Sequence, residues 1–229
     1  METQHTRTEM LIGADALKKL QGATVAVFGV GGVGGYAVEA LARAGVGRLV
    51  LVDSDVVSVS NINRQIIATH STVGMYKTEA MRERILEINP EAEIKLHTVF
   101  FDESTLSEFD FASYDYVVDA IDSLGAKIEL IAAAKLANTP IISAMGAGNK
   151  LDPTRFEISD ISKTEVCPLA RAVRTRLRKR GITNLKVVYS KELPHVSSDG
   201  ERVPASISFV PSAMGLVIAS AVVRDLAEI

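Results

Sequence analysis

The stretch TVAVFGV, residues 24–30, runs straight into Gly29-Val30-Gly31-Gly32-Val33-Gly34 and then into YAVEALARAGV. A Val-rich apolar run reads as a buried parallel strand, and the periodic segment after the glycines reads as a helix stopped by Gly45 and Gly47. GxGxxG between strand and helix permits a tight turn and close backbone approach to an anion. The free N–H groups of the helix start then face that anion. Asp53 ends the next apolar run, RLVLVDSD, 19 residues after Gly34. There it can accept hydrogen bonds from ribose hydroxyls.

The rest of the chain keeps the same rhythm. Helices are expected over residues 14–21, in MYKTEAMRERILEINP and in AKIELIAAAKLAN. Strands are expected in EIKLHTVF, YDYVVDAID and TPIISAMGA. This alternation predicts an α/β chain: a Rossmann-like, mostly parallel sheet with helices on both faces. Beyond residue 150, FEISDI and NLKVVYS read as strands flanking a helix, CPLARAVRTRLRKRGI. ASISFVP reads as a further strand, and PSAMGLVIASAVVRDL as a buried helix with proline at its start. No Gly/Ser-rich linker divides the 229 residues. The expectation is one domain over 1–229, with a nucleotide-binding core at 7–150 and a C-terminal α/β elaboration at 151–229 for substrate binding and dimer support.

Composition narrows the class. A formal net charge of −3 with 47% hydrophobic residues excludes a disordered chain. A single cysteine excludes an internal disulfide framework and a zinc site of paired CxxC motifs. The polar start METQHTRTEM lacks the apolar stretch of a secretion signal, so a cytoplasmic chain is expected. The uncharged stretch between Arg202 and Arg224 is long enough to span a bilayer. Pro204, Pro211 and four serines interrupt it, so no membrane association is expected.

A dinucleotide is the usual ligand of such a glycine loop, and hydride transfer is one reading. The residues that follow favour another. Asp53, Asp55, Asn61, Asn63, Arg64 and Gln65 share one loop, Lys77 opens the next helix, and Asp119 and Asp122 close a later strand. Two cations and several carboxylates around a phosphate loop suit a nucleoside triphosphate with magnesium.

GVGGVGG, DSDVVSVSNINRQ, Lys77 in GMYKTEA and VVDAID together resemble the ubiquitin-activating-enzyme-like adenylyltransferases over residues 7 to about 150. The resemblance implies ATP-dependent adenylation of a carboxylate with release of pyrophosphate. Gly29, Gly31, Gly32 and Gly34 would cradle ATP and Asp53 would bind ribose, with Asp55 and Gln65 in the same site. Asn61, Arg64 and Lys77 would contact phosphates, and Asp122 would hold Mg2+ near the α-phosphate. The resemblance also leaves room for a monovalent cation. Arg7 stands in the place of the family's N-terminal arginine, which reaches into the partner subunit's ATP site, so a homodimer is implied.

From Lys163 to Lys191 the chain holds nine basic residues and one acid, Glu165. Leu169, Val173 and Leu177 give one helix a buried face. Arg171, Arg174, Arg178, Lys179 and Arg180 then form a cationic surface suited to RNA. The segment SKTEVCPLARAVRTRLRKRGI, with KVVYSKELP and ISFVPSAMGLVIA, resembles one branch of the superfamily, the tRNA threonylcarbamoyladenosine dehydratases. That branch implies cyclisation of N6-threonylcarbamoyladenosine in the tRNA anticodon loop, and it allows a sulfur-transfer protein partner. The loop HVSSDGERVPAS would shape the entrance. Cys167, the lone cysteine, is either a thioester nucleophile or a small buried hydrophobe. Two other readings stay open: activation of the C-terminal carboxylate of a ubiquitin-like or sulfur-carrier protein, and a nucleotide-binding scaffold without turnover.

Overall fold

Seven short strands, β1 (Thr24–Phe28), β2 (Arg48–Val52), β3 (Glu93–His97), β4 (Tyr116–Asp119), β5 (Ile141–Ala144), β6 (Phe156–Asp160) and β7 (Lys186–Ser190), make one sheet. Their order is β3-β2-β1-β4-β5-β7-β6 in the computed structural model, which describes residues 2–195 and 205–229. Every pairing is parallel except that of β6 with β7. Chain order reverses between β1 and β4, and the crevice at the C-terminal ends of such strands is where open α/β sheets bind ligands.

Side-chain alternation explains the two covered faces. Val25 and Val27 of β1, Leu49 and Leu51 of β2, and Tyr116 and Val118 of β4 point into one core. Ala26, Phe28, Val50, Val52 and Val117 point into the other. Helices α2 (Ala14–Gly22), α3 (Gly34–Ala44), α4 (Lys77–Ile88) and α7 (Phe209–Ala227) supply the first core. Helices α5 (Leu124–Leu136) and α6 (Pro168–Lys179) supply the second, with Phe101, Phe109 and Phe111 packed around Phe28. A further short helix, α1 (Thr6–Ile12), precedes α2, where the sequence pattern gave no signal. Its N-cap His5 is buried, and its own residues are not.

The segment after residue 150 is no appendage. β7 extends the parallel sheet beside β5, and α7 packs on α3. The strand expected over ASISFVP does not form: α7 starts at Phe209 and takes in Val210 and Pro211. The reason is periodicity. Val210, Met214, Ile218 and Val222, spaced by four, are all fully buried, so the helical stripe reaches back through the predicted strand. Pro211 is tolerated because the first four N–H groups of a helix have no intrahelical partner. α7 is long and apolar enough to cross a membrane, yet half of its apolar window is buried within this fold.

α7 reaches α3 closely because Gly215 has no side chain. A Cβ there would lie 2.3 Å from the Val33 carbonyl oxygen. Near its other end, Asp225 accepts from Tyr116 Oη at 2.7 Å and pairs with Lys186, tying α7 to β4 and β7. Burial pushes the Asp225 carboxyl up, but the hydrogen bonds from Lys186 and Tyr116 outweigh it and hold it below the usual carboxylate range.

Gly215→Ala is therefore expected to cost about 1–3 kcal/mol through overpacking, read by denaturant titration. A depressed carboxyl contributes stability that is present above its unfolded pKa, near 4, and lost as pH falls through its lower folded value. Asp225→Asn should accordingly flatten the acid-side loss of thermal stability below about pH 4, compared with the parent chain.

Candidate functional site

The loop between β1 and α3 is built by close backbone approach. Gly29 has φ 89°, and a Cβ on it would lie 2.6 Å from the Ala120 carbonyl oxygen in the turn after β4. A Cβ on Gly34 would lie 1.8 Å from the Gly29 carbonyl oxygen. Neither position accepts any other residue without moving the loop. The helix start that results is open. Val33 supplies no side-chain cap and the first turn of α3 holds no acid, so the helix dipole there favours an anion, with Gly35 N already donating to the Gly31 carbonyl at 2.9 Å.

Asp53, just past β2, braces this loop. Its Oδ2 accepts from Val30 N at 2.7 Å and its Oδ1 from Asp55 N at 2.9 Å. Burial pushes its carboxyl above the ordinary range, against the pull of Lys77 and of the two backbone donors. Lys77 opens α4 and is only 6% exposed. Its Nζ lies 2.6 Å from Asp55 and 3.9 Å from Asp53.

The turns of residues 58–65 fold against the glycines. Asn61 Oδ1 accepts from Ser58 N, which fixes a short turn at Val59–Asn61. Arg64 Nη1 donates to the Ser60 carbonyl and to Asn63 Oδ1, and its Cγ would lie 3.4 Å from a Cβ on Gly32. Among the described residues it has no carboxylate partner. Gln65 is buried with its Oε1 lacking any partner, and its Nε2 would lie 3.8 Å from a Cβ on Gly31. A buried acceptor left open beside a glycine cradle is a feature that a bound ligand would satisfy. Pro211 of α7 closes the same cradle, with its Cβ 3.2 Å from the place of a Cβ on Gly32. No short motif links positions so far apart in sequence, so Pro211 went unread.

Asp119 and Asp122 part company. Asp119 is fully buried and paired with Lys127, whereas Asp122 is exposed in the turn that begins with Ala120. Arg7 is not brought to the loop by its own chain. It is exposed on α1, which lies by the far end of α3, where the His5 ring sits 3.4 Å from the place of a Cβ on Gly45. The 11 residues of α3 separate the two ends by about 16 Å.

The cationic helix divides in the same way. Arg174 Nη1 donates to the carbonyls of Ile161 and Thr164 and to Thr164 Oγ1, and Arg180 pairs with Glu129. Arg171, Arg178 and Lys179 are exposed. Cys167 is the N-cap residue of α6, 4% exposed, with its Sγ 3.5 Å from the place of a Cβ on Gly146. The preceding Val166 has φ 64°, unusual for a β-branched residue, in a tight turn closed by Cys167 N donating to the Glu165 carbonyl. The buried Lys150 nearby donates to the Glu192 carbonyl at 2.6 Å, and burial pushes its ammonium below the usual lysine range. Most of the loop HVSSDGERVPAS lies outside the described residues. Its described C-terminal end is held by Asn149, whose N and Oδ1 bond to Ala205 O and N.

The ThiF family pattern matches residues 5–229. A tRNA threonylcarbamoyladenosine dehydratase of Bacillus subtilis is 46% identical over 97% of this chain and 94% of its own. The solved Escherichia coli tRNA N6-threonylcarbamoyladenosine dehydratase in complex with ATP superposes with a TM-score of 0.92 at 34% identity, covering 98% of this chain and 94% of that one. The probable adenylyltransferase/sulfurtransferase MoeZ of Mycobacterium tuberculosis is 37% identical, but over only 57% of this chain.

With Cys167 sequestered, a disulfide reagent should label the native protein at least about tenfold more slowly than the protein in denaturant, since labelling then needs a local opening. Native and denatured rates that agree would contradict the burial.

Proposed function

Because the chain belongs to the ThiF family and matches two of its dehydratase members over nearly all of both chains, we propose that it is an ATP-dependent tRNA threonylcarbamoyladenosine dehydratase. The observation that carries this reading is the uncapped α3 start behind side-chain-free glycines, with Arg64, Lys77, Asp53 and the open Gln65 acceptor gathered at it. That donor set fits ATP: glycine N–H groups for phosphate, a carboxylate for ribose, and two cations for the charge on the phosphates.

The substrate carboxylate attacks the α-phosphorus, pyrophosphate leaves, and an acyl-adenylate forms. The carboxylate oxygen, a poor leaving group, becomes part of AMP. A nucleophile already within the modified base then attacks the activated carbonyl, closes a ring and expels AMP, for a net loss of water. Lys77 and Arg64 stabilise charge developing on the phosphates. Lys77 reaches them by leaving or sharing its contact with Asp55. Asp122, exposed beside the loop, would hold Mg2+, which supplies further neutralisation of phosphate charge. Ring closure is intramolecular, so no enzyme nucleophile is needed, in keeping with the burial of Cys167.

Arg7 is too far from the glycine loop of its own chain, which supports a homodimer in which each Arg7 serves the other chain's site. The tRNA anticodon loop is single-stranded, so its modified base is reached without breaking a duplex. Arg171 lies near the N-terminal end of α6, where Cys167 meets Gly146, and Arg178 and Lys179 lie at its other end, so RNA would track along this helix. Arg174 and Arg180 hold the helix in place. The scheme is cytoplasmic and needs neither a membrane, a sulfur-transfer partner nor a monovalent cation. Activation of a ubiquitin-like or sulfur-carrier protein is the second reading, because MoeZ, an adenylyltransferase/sulfurtransferase by name, is 37% identical over 57% of this chain.

Incubation with Mg·ATP and modified tRNA should yield the cyclised nucleoside by mass spectrometry, with AMP and pyrophosphate. ATP–pyrophosphate exchange stimulated by a small carrier protein and not by tRNA would select the second reading. Lys77→Ala should lower kcat by about 10²–10³, the usual loss for one charge-stabilising group, and Cys167→Ser should retain activity. Replacing Arg171, Arg178 and Lys179 by alanine should weaken tRNA binding. It should also reduce the salt slope by about one for each phosphate contact removed.

A further inference from the structure

Lys127 takes no part in the scheme above, yet it is one of the most deeply placed charges in the molecule. Lys127, Asp119 and Ser143 are each 0% exposed. Lys127 Nζ donates to Asp119 Oδ2 at 2.8 Å, to the Ala144 carbonyl at 3.1 Å and to Ser143 Oγ at 3.3 Å. An ammonium has three N–H groups, and all three are used. Asp119 also accepts from Ser143 Oγ on Oδ2, and its Oδ1 accepts from Ile121 N at 3.2 Å.

Removing two charges from water costs several kcal/mol for each, and well-packed apolar side chains of the same volume serve stability as well or better. Apolar side chains could not accept the Ile121 N–H. That bond sits in the turn leaving β4, which is also held by Ala120 N donating to the Phe28 carbonyl. Ala120 presses its own carbonyl on Gly29, and Asp122 follows Ile121 directly. Asp119 is thus clamped from below by α5 and β5, and from above it aims the turn that faces the phosphate loop.

We propose that Lys127 is a positioning residue for adenylation: through Asp119 it fixes the Ala120–Asp122 turn against the glycine loop, and so sets where the Asp122 carboxylate meets the metal and the α-phosphate. This rests on the role given to Asp122 above.

The test separates positioning from mere stability. Lys127→Met alone leaves an unpaired buried carboxylate and should melt well below the parent. The double variant Asp119→Leu/Lys127→Met removes both charges and should recover a melting temperature near that of the parent. Calorimetric titration with ATP, with and without Mg2+, needs no tRNA. The parent should bind ATP more tightly with Mg2+, and the double variant should lose most of that enhancement while binding metal-free ATP within about threefold of the parent. Its rate of AMP formation on modified tRNA should stay at least about thirtyfold low. A double variant that melts, responds to Mg2+ and turns over like the parent overturns the proposal. Should the double variant fail to fold, Ser143→Ala decides. A drop in AMP formation of about threefold or more at unchanged melting supports positioning, and the parental rate overturns it. A parent that binds Mg·ATP but forms no AMP on this tRNA refutes the substrate assignment, while the metal-enhancement readout still judges Lys127.

Discussion

The approach of three backbone segments governs this molecule: the Gly29 peptide lies against the turn after β4, and the Gly34 position lies against the Gly29 carbonyl. No side chain fits between them. That packing aims the start of α3 at the C-terminal edge of the sheet, seats Val30 where Asp53 can hold its N–H, and brings the Asp122 turn alongside. Apart from Arg7, the groups assigned to ATP are placed relative to this junction. The cost of bare backbone and glycine is met by two large cores, one on each face of the sheet.

Charge around the junction is pre-arranged. Lys77, nearly buried, rests between two carboxylates, so the site holds its cation in place by its own ion pairs. Arg64 meanwhile leans on neutral acceptors and is free to move toward phosphate. The two cations therefore differ in readiness: one must exchange partners and the other must only swing. That difference arises from Asp55, which lies two residues from Asp53 and is exposed while Asp53 is not.

Much of this was legible in the sequence because it is local. The strand, the glycines, the helix and Asp53 lie within 30 residues, and their spacing marks a strand–turn–helix suited to a nucleotide. The loop cluster and Lys77 are also close in sequence, and the structure does gather them. What could not be read depends on contacts that the fold alone decides. Asp119 and Asp122 look alike in VVDAID, and only the fold turns the first inward to Lys127. Arg174 and Arg180 look like free surface charge until Thr164 and Glu129 are placed beside them. The residues ASISFVP have the composition of a strand, but the buried stripe of Val210, Met214, Ile218 and Val222 carries the helix back to Phe209. Helix α1 has no buried residue of its own and hence no periodic stripe to find.

The packing of α7 on α3 has a bearing on biogenesis. The two helices form the largest helix–helix interface of the described residues, and about 180 residues separate their midpoints. Met214, Ile218 and Val222 complete the core that Val38, Leu41 and the sheet begin. A nascent chain still in the ribosomal tunnel would leave that apolar groove bare until synthesis had passed Ala227. Consolidation thus waits until α7 has been made, and until then the polypeptide is a client for whatever shields sticky surfaces in the cell.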